Sequence, residues 1–230
     1  MSIEPSRRAP KILVIDIGGH HVKILVSGAA ESRKLASGPH MTAREMVRGV
    51  RVLASDWHFD AVSIGYPGPV RHGVIAAEPA NLGKGWVAIN LAEAFERPVK
   101  ILNDAAMQAL GAYDRGHMLF LGLGTGLGSA MIIDGHACPM ELAHLPYKKE
   151  RTYEDYVGAR SLAERGEKRW RRHVADVIAR LDAALQPDDI VIGGGNAKKL
   201  RELPARARLG TNADAFTGGL RMWSSPRVMR

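Results

Sequence analysis

The chain has 230 residues, 46% of them hydrophobic, and a formal charge of +8, enough apolar material for one large globular domain or two small ones. No run approaches the roughly 18–20 apolar residues of a membrane span, and no charged-then-apolar leader with a cleavage site is present, so a soluble, unexported, cytoplasmic protein is expected. A single cysteine, Cys138, excludes an internal disulfide and a cysteine-based zinc site, while the positive charge favours an anionic partner such as nucleic acid, nucleotide or polyphosphate.

The first elements in chain order are two strands, "KILVIDI" and "VKILVSG", joined by a glycine turn. "TAREMVRGVRVLAS" carries helical spacing through Met46, Val47, Val50 and Leu53, with Thr42 as its cap. "DAVSIGY" reads as a strand ending in the turn-rich "PGPVRHG". Asn90 caps a short helix with Glu93 three residues on, and Pro98 stops it before the strand "VKIL". A helix "DAAMQALGAYD" follows, then a second strand, glycine turn and strand in "HMLFLGLGTGLGSAMIIDG". Thr152 and Asp155 form a capping box opening "YEDYVGARSLAERG". The next helix buries Trp170, Val174, Ile178, Leu181 and Leu185 and turns Arg169, Arg171, Arg172 and Arg180 outward, either as a solvated basic face or as a surface that guides anions. "DDIVIGGG" is a late strand running into a third glycine turn. Such alternation predicts an α/β protein with mixed sheets.

The chain also repeats itself. Asp16-Ile17-Gly18 superposes on Gly122-Leu123-Gly124, and each copy is an apolar strand, a glycine turn and a second strand, with one residue of slippage. Two related halves with a cleft between them are implied. Turns without Cβ atoms let backbone N–H groups converge on an anion. Three such turns follow apolar strands: Gly18-Gly19, Gly124-Thr125-Gly126 and Gly193-Gly194-Gly195. None has the Walker or dinucleotide-binding spacing. Asp16, at the mouth of the first turn, suits a magnesium ion, which takes one or two carboxylates plus phosphate oxygens; as a plain turn residue it needs no ion. Asp104 ends a buried strand and opens a helix, a position for either a catalytic base at a sheet's carboxyl edge or an ordinary helix cap.

The ordered set "DIGGxxxK", "GYPGPV", "NLGKGW", "ILNDAAMQALG", "GLGTGLG", "ELAH" and "IVIGGG" spans nearly the whole chain and resembles the ROK sugar kinases. The compact length and "TYEDYVG" look most like their polyphosphate glucokinase branch. The resemblance implies an α/β, two-domain actin-like or hexokinase-like (ribonuclease H-like) ATPase fold with an interdomain cleft. It divides the chain into residues 1–104, with a closing helix in 210–230 packing back on them, and residues 105–209. The implied activity is transfer of a phosphoryl group from polyphosphate or ATP to a hexose hydroxyl, the 6-OH of glucose. Asp104 is then the base, while Asn81, Asn103, Glu141 and His144 contact the sugar with the paired donors and acceptors that vicinal hydroxyls require. Asp16, Gly18, Gly19, His20, Lys23, Gly124, Thr125, Gly126, Gly194 and Gly195 fall to the phosphate or nucleotide region, with Asp16 on Mg²⁺. Relatives that bind zinc use a histidine and a cysteine cluster; this chain has no such cluster, so no zinc is expected.

His20 departs from the pattern, which has threonine at the turn's tip. The imidazole reads as tolerated variation at an exposed tip, as tuning to a donor other than ATP, or as a weakened catalyst. The last option makes the chain a sugar- or nucleotide-binding regulatory relative. The expected partners are a hexose and an anionic donor, with no nucleic acid and no membrane, and with a homodimer left open. About ten residues precede the first strand, too few for a helix-turn-helix module.

Overall fold

The structure, a computed structural model, describes residues 9–211 and 213–224. The elements in order are β1 (Ile12–Ile17), β2 (His21–Val26), β3 (Arg33–Ala36), α1 (Ala43–Leu53), β4 (Ala61–Tyr66), β5 (Val70–Arg71), β6 (Val74–Ile75), α2 (Leu91–Phe95), β7 (Val99–Asn103) and α3 (Asp104–Ala112). They continue with β8 (His117–Leu123), β9 (Leu127–Ile133), β10 (His136–Met140), α4 (Glu154–Val157), α5 (Ala159–Leu185), β11 (Asp189–Gly193), β12 (Ala207–Leu209) and α6 (Asp214–Arg221). Single 3-10 turns lie at Leu142–His144 and Ala197–Lys199.

Two five-stranded sheets share one plan. The first has the order β3-β2-β1-β4-β7 and the second β10-β9-β8-β11-β12. In each, three antiparallel strands are followed by two parallel ones. The repeat seen in the sequence is therefore a repeat of topology. Its one-residue slippage sits at the hairpin tips, since Ile17 pairs with Val22 across four residues whereas Leu123 pairs with Leu127 across three. β3 and β10, which the apolar runs of the sequence do not announce, complete the match.

Strand alternation sorts the side chains into layers. Leu13, Ile15 and Ile17 of β1 face α1 and α2, whereas Ile12 and Val14 face α3 and α6. On the second sheet Met118 and Phe120 of β8 look back at α3 and α6, and Leu119, Leu121 and Leu123 pack on α5. Helices α3 and α6 are thus sandwiched between the sheets. They cross so closely that a Cβ on Gly111 would land on the Asp214 carbonyl and one on Gly218 on the Met107 carbonyl. Arg221 Nη1 fastens the crossing by donating to the Leu110, Gly111 and Tyr113 carbonyls. From the first sheet, buried Ser63 donates to the Gly219 carbonyl at 2.6 Å and accepts the Trp223 indole N–H at 2.8 Å.

Two of the sequence-predicted caps form: Thr42 and Glu45 make a reciprocal box on α1, and Asn90 accepts the Glu93 N–H. The box expected at Thr152 does not: Thr152 donates through N and Oγ1 to Asp155, while α4 starts after Tyr153 without a side-chain cap. The helical stretch after Thr152 differs from its reading: it breaks at Gly158 after four residues, and Gly166, at φ 74°, kinks α5 near its start. Leu185 is only half-buried, and Val177 joins the buried stripe. Of the closing segment 210–230, Asn212 and residues 225–230 lie outside the described residues. Among the described residues no helix is long and apolar enough to cross a membrane.

Candidate active site

The site is built where α3 begins. A side chain at Gly65 on β4 would collide with Met107, and a Cβ at Gly128 on β9 would come within 3.0 Å of Ala105. Glycine on both flanks lets the first turn of α3 wedge between the two sheets, so Asp104 stands at the junction of the halves. Asn103 caps this helix: its Oδ1 accepts the Ala106 N–H at 3.1 Å and its Nδ2 donates to the Gly68 carbonyl at 3.2 Å. With the capping done by its neighbour, Asp104 accepts only the adjacent Ala105 N–H, at 2.8 Å.

Asp16 reaches the same place from β1. It shares a strand face with Ile12 and Val14, the face on which α3 lies, and in the strand register it is separated from β7 only by Gly65. In the register Gly65 stands between Asp16 and Leu102, and its missing side chain leaves the space there to Met107. Burial above all, with the charges of Asp16 and Glu141 adding to it and the Ala105 hydrogen bond opposing, pushes the Asp104 carboxyl up to about 7. Burial also raises Asp16, which the described residues give no hydrogen bond, and the positive charge of Lys23 opposes that rise. Lys23 is the cross-strand partner of Asp16 and therefore lies on its face of the sheet.

The hairpin tips approach each other here. A Cβ at Gly19 would lie 3.6 Å from the Asn81 Cβ and 3.9 Å from Thr125 Oγ1. Glu141 and His144 sit on the 3-10 turn after β10, exposed, with Nε2 and Oε2 3.9 Å apart. Gly19, Asn81 and Thr125 thus meet at the hairpin tips, and Asp104 lies within charge range of Asp16 and Glu141, as Asp16 does of Lys23. Gly18 closes the first hairpin by donating its N–H to the His21 carbonyl at 3.0 Å. His20 is exposed at its tip. Asn103 is present but its amide is committed at both ends, which leaves it one free N–H.

The second hairpin is braced by three residues that sequence reasoning did not single out. The Glu154 carboxylate accepts the Leu127 N–H at 3.2 Å and fills the space a Cβ at Gly126 would need. The Ala159 N–H donates to the Thr125 carbonyl at 3.1 Å. From the other side Asn196 donates its backbone N–H to the Leu123 carbonyl at 2.9 Å and Nδ2 to the Gly124 carbonyl at 3.2 Å. Gly194, at φ 83°, tucks under Leu123, while Gly124 and Gly195 face open space. The available signals were "TYEDYVG" and an Asn directly after a glycine turn. Among the described residues no three His, Cys, Asp or Glu side chains gather as a metal-binding group.

Comparison with known proteins agrees with this arrangement. The family model described as ROK family matches residues 12–139. The polyphosphate glucokinase of Mycobacterium tuberculosis is 30% identical over 207 residues, which are 82% of this chain and 73% of that protein. Inorganic polyphosphate/ATP-glucomannokinase from Arthrobacter sp. strain KM has a TM-score of 0.81 at 23% identity, covering 93% of this chain and 98% of its own. A ROK family glucokinase from Streptomyces griseus, solved in complex with glucose and AMPPNP, has a TM-score of 0.76 at 18% identity, covering 92% and 98%. The last two similarities establish the fold: the α/β, actin-like and hexokinase-like one that the motifs led us to expect.

Proposed function

The chain belongs to the ROK family, and from that membership we propose that it is a cytoplasmic sugar kinase acting on the 6-OH of glucose with inorganic polyphosphate or ATP as donor. The names of its relatives support the acceptor and the donors. The observation that carries the reading is the Asp104 carboxyl, left free of the capping done by Asn103 where α3 begins between the two sheets, with burial raising its pKa to about 7. A base is most effective when its pKa lies near the working pH.

In this reading Asp104 takes the proton of the sugar hydroxyl as its oxygen bonds to the terminal phosphorus. The bridging P–O bond breaks, and the donor leaves one phosphoryl shorter. Asn81, Glu141 and His144 hold the sugar, with Asn103 acting chiefly by fixing the start of α3. N–H groups of the two hairpins receive the phosphates. The lobes are residues up to 104 with α6, and residues 105–209, meeting at α3.

The donor set fits magnesium. Asp16 is a recessed carboxylate without a hydrogen-bond donor, raised by burial in a way a cation would reverse, and Mg²⁺ takes one or two carboxylates plus phosphate oxygens. Asp16 would hold the ion, which when bound offsets charge on the donor's phosphates.

Incubating the protein with Mg²⁺, each of several hexoses and each donor, and measuring sugar phosphate, tests the proposal. Glucose 6-phosphate formed from polyphosphate or ATP is the expected result. Calorimetry showing glucose binding without turnover of any donor would instead make the chain a non-catalytic relative, one of the three readings of His20.

A further inference from the structure

A second groove, of about 740 Å³, lies outside the crevice, between the later part of α5 and the segment following the third glycine turn. Lys168, Arg171 and Arg172 stand on its helical side and Arg201 on the other, against one acid, Glu202. Arg171 is already engaged: Nη1 donates to Glu167 at 3.0 Å and to the Lys199 carbonyl at 3.0 Å, which ties the two walls together. Glu167 also takes the Lys199 ammonium, at 2.9 Å. Lys168, Arg172 and Arg201 form no ion pair among the described residues and are exposed. The floor, with Ile178, Leu200 and Pro204, has no side-chain polar atom that would read the edge of a base.

The groove is continuous with the crevice along the chain. Gly195 faces open space, Asn196 grips the second hairpin, and the 3-10 turn Ala197–Lys199 leads directly into Leu200 and Arg201. Such a turn advances about 6 Å in three residues. On α5, positions 168 and 172 are neighbours on one face, about 5–6 Å apart. Cations on both walls of a groove, one of them two residues past a short turn that leads from the second hairpin, match an anion whose charges repeat along its length. A nucleotide places its charges at one end only.

We propose that this groove binds the distal phosphates of a linear polyphosphate whose terminal phosphoryl group lies at the glycine hairpins. The proposal rests on the kinase reading above and assigns the long-chain donor a second site there, formed by Lys168, Arg172 and Arg201.

The test is the triple variant Lys168→Gln, Arg172→Gln, Arg201→Gln, with Arg201→Gln alone as a milder step, each checked by thermal melting and assayed with long-chain polyphosphate, tripolyphosphate and ATP. The triple variant should raise the KM for long-chain polyphosphate about tenfold and flatten its dependence on salt by about one unit of slope per cation removed. The KM values for ATP and glucose should stay within about twofold, because a nucleotide carries no charge beyond its triphosphate, and the KM for tripolyphosphate should rise less than that for the long chain. An equal rise for ATP would make the groove a nucleotide site, and an unchanged KM for the long chain would make it a bystander; either result overturns the proposal. If the unmodified protein turns over no donor, the kinase reading fails by itself. Calorimetric binding of long-chain polyphosphate, lost in the triple variant, still supports the groove, and equal binding by both proteins refutes it.

Discussion

The two glycine hairpins are built on the same strand order yet are held in place differently. The first is fixed by its own sheet: Gly18 donates to the His21 carbonyl, Ser37 Oγ donates to the Gly18 carbonyl at 2.6 Å, and His20 stands exposed at the tip. The second is gripped by Glu154 and Ala159 on one side and Asn196 on the other. A tip held by its neighbours from both sides has little freedom to accept a new side chain, whereas an exposed tip has room. The difference makes the second hairpin the rigid one and the first the adaptable one.

The largest effect expected from challenging this contrast comes from Gly194→Ala. The residue lies at φ 83°, and its Cβ would meet the Leu123 carbonyl oxygen at 2.5 Å. Backbone strain and collision together should cost about 2–3 kcal/mol, or about 4–12 °C in Tm for a chain of this size. An unaltered melting curve would show that the second cradle is softer than its contacts imply. Next comes Glu154→Ala, which removes the acceptor of the Leu127 N–H. A loss of about 1 kcal/mol should appear as a donor KM raised about fivefold with the glucose KM unmoved, and Glu154→Gln should restore most of it. If the alanine variant instead tightened donor binding, Glu154 would be competing with phosphate rather than bracing the hairpin. The smallest effect is assigned to His20→Thr, with a stability change within about 0.5 kcal/mol and turnover altered less than about threefold. A larger change than that of Glu154→Ala would reverse the ranking of the two tips.

Much of this plan was legible in the sequence because it rests on local chemistry. Apolar runs broken by glycine gave the hairpins, and Thr42 and Asn90 announced their helices. The roles of Asn103 and Asp104 were harder to separate, because either residue of "ND" is a good cap. Only the packed start of α3 shows that Asn103 caps and Asp104 is left to the crevice. The motif assigns Lys23 to the phosphate region without a direction for its side chain; the register sets it opposite Asp16. β3, with alternately half-buried and exposed residues, and β10, which contains a proline, carry little apolar signal. The brace on Gly126 escaped notice because Glu154 lies 28 residues away in the chain and its contact arises from tertiary packing.

The most direct test of the account is the pH dependence of glucose phosphorylation with Asp104 intact and as Asp104→Asn. A carboxyl raised to about 7 holds its proton below that pH and releases it above, so kcat/KM should climb about tenfold per unit on the acid side and level off beyond pH 7. The asparagine variant should lose about 10²–10⁴-fold in kcat, retain glucose binding and show no such climb. Undiminished turnover in that variant, or the same pH profile in both proteins, would contradict the assignment of Asp104 as the base.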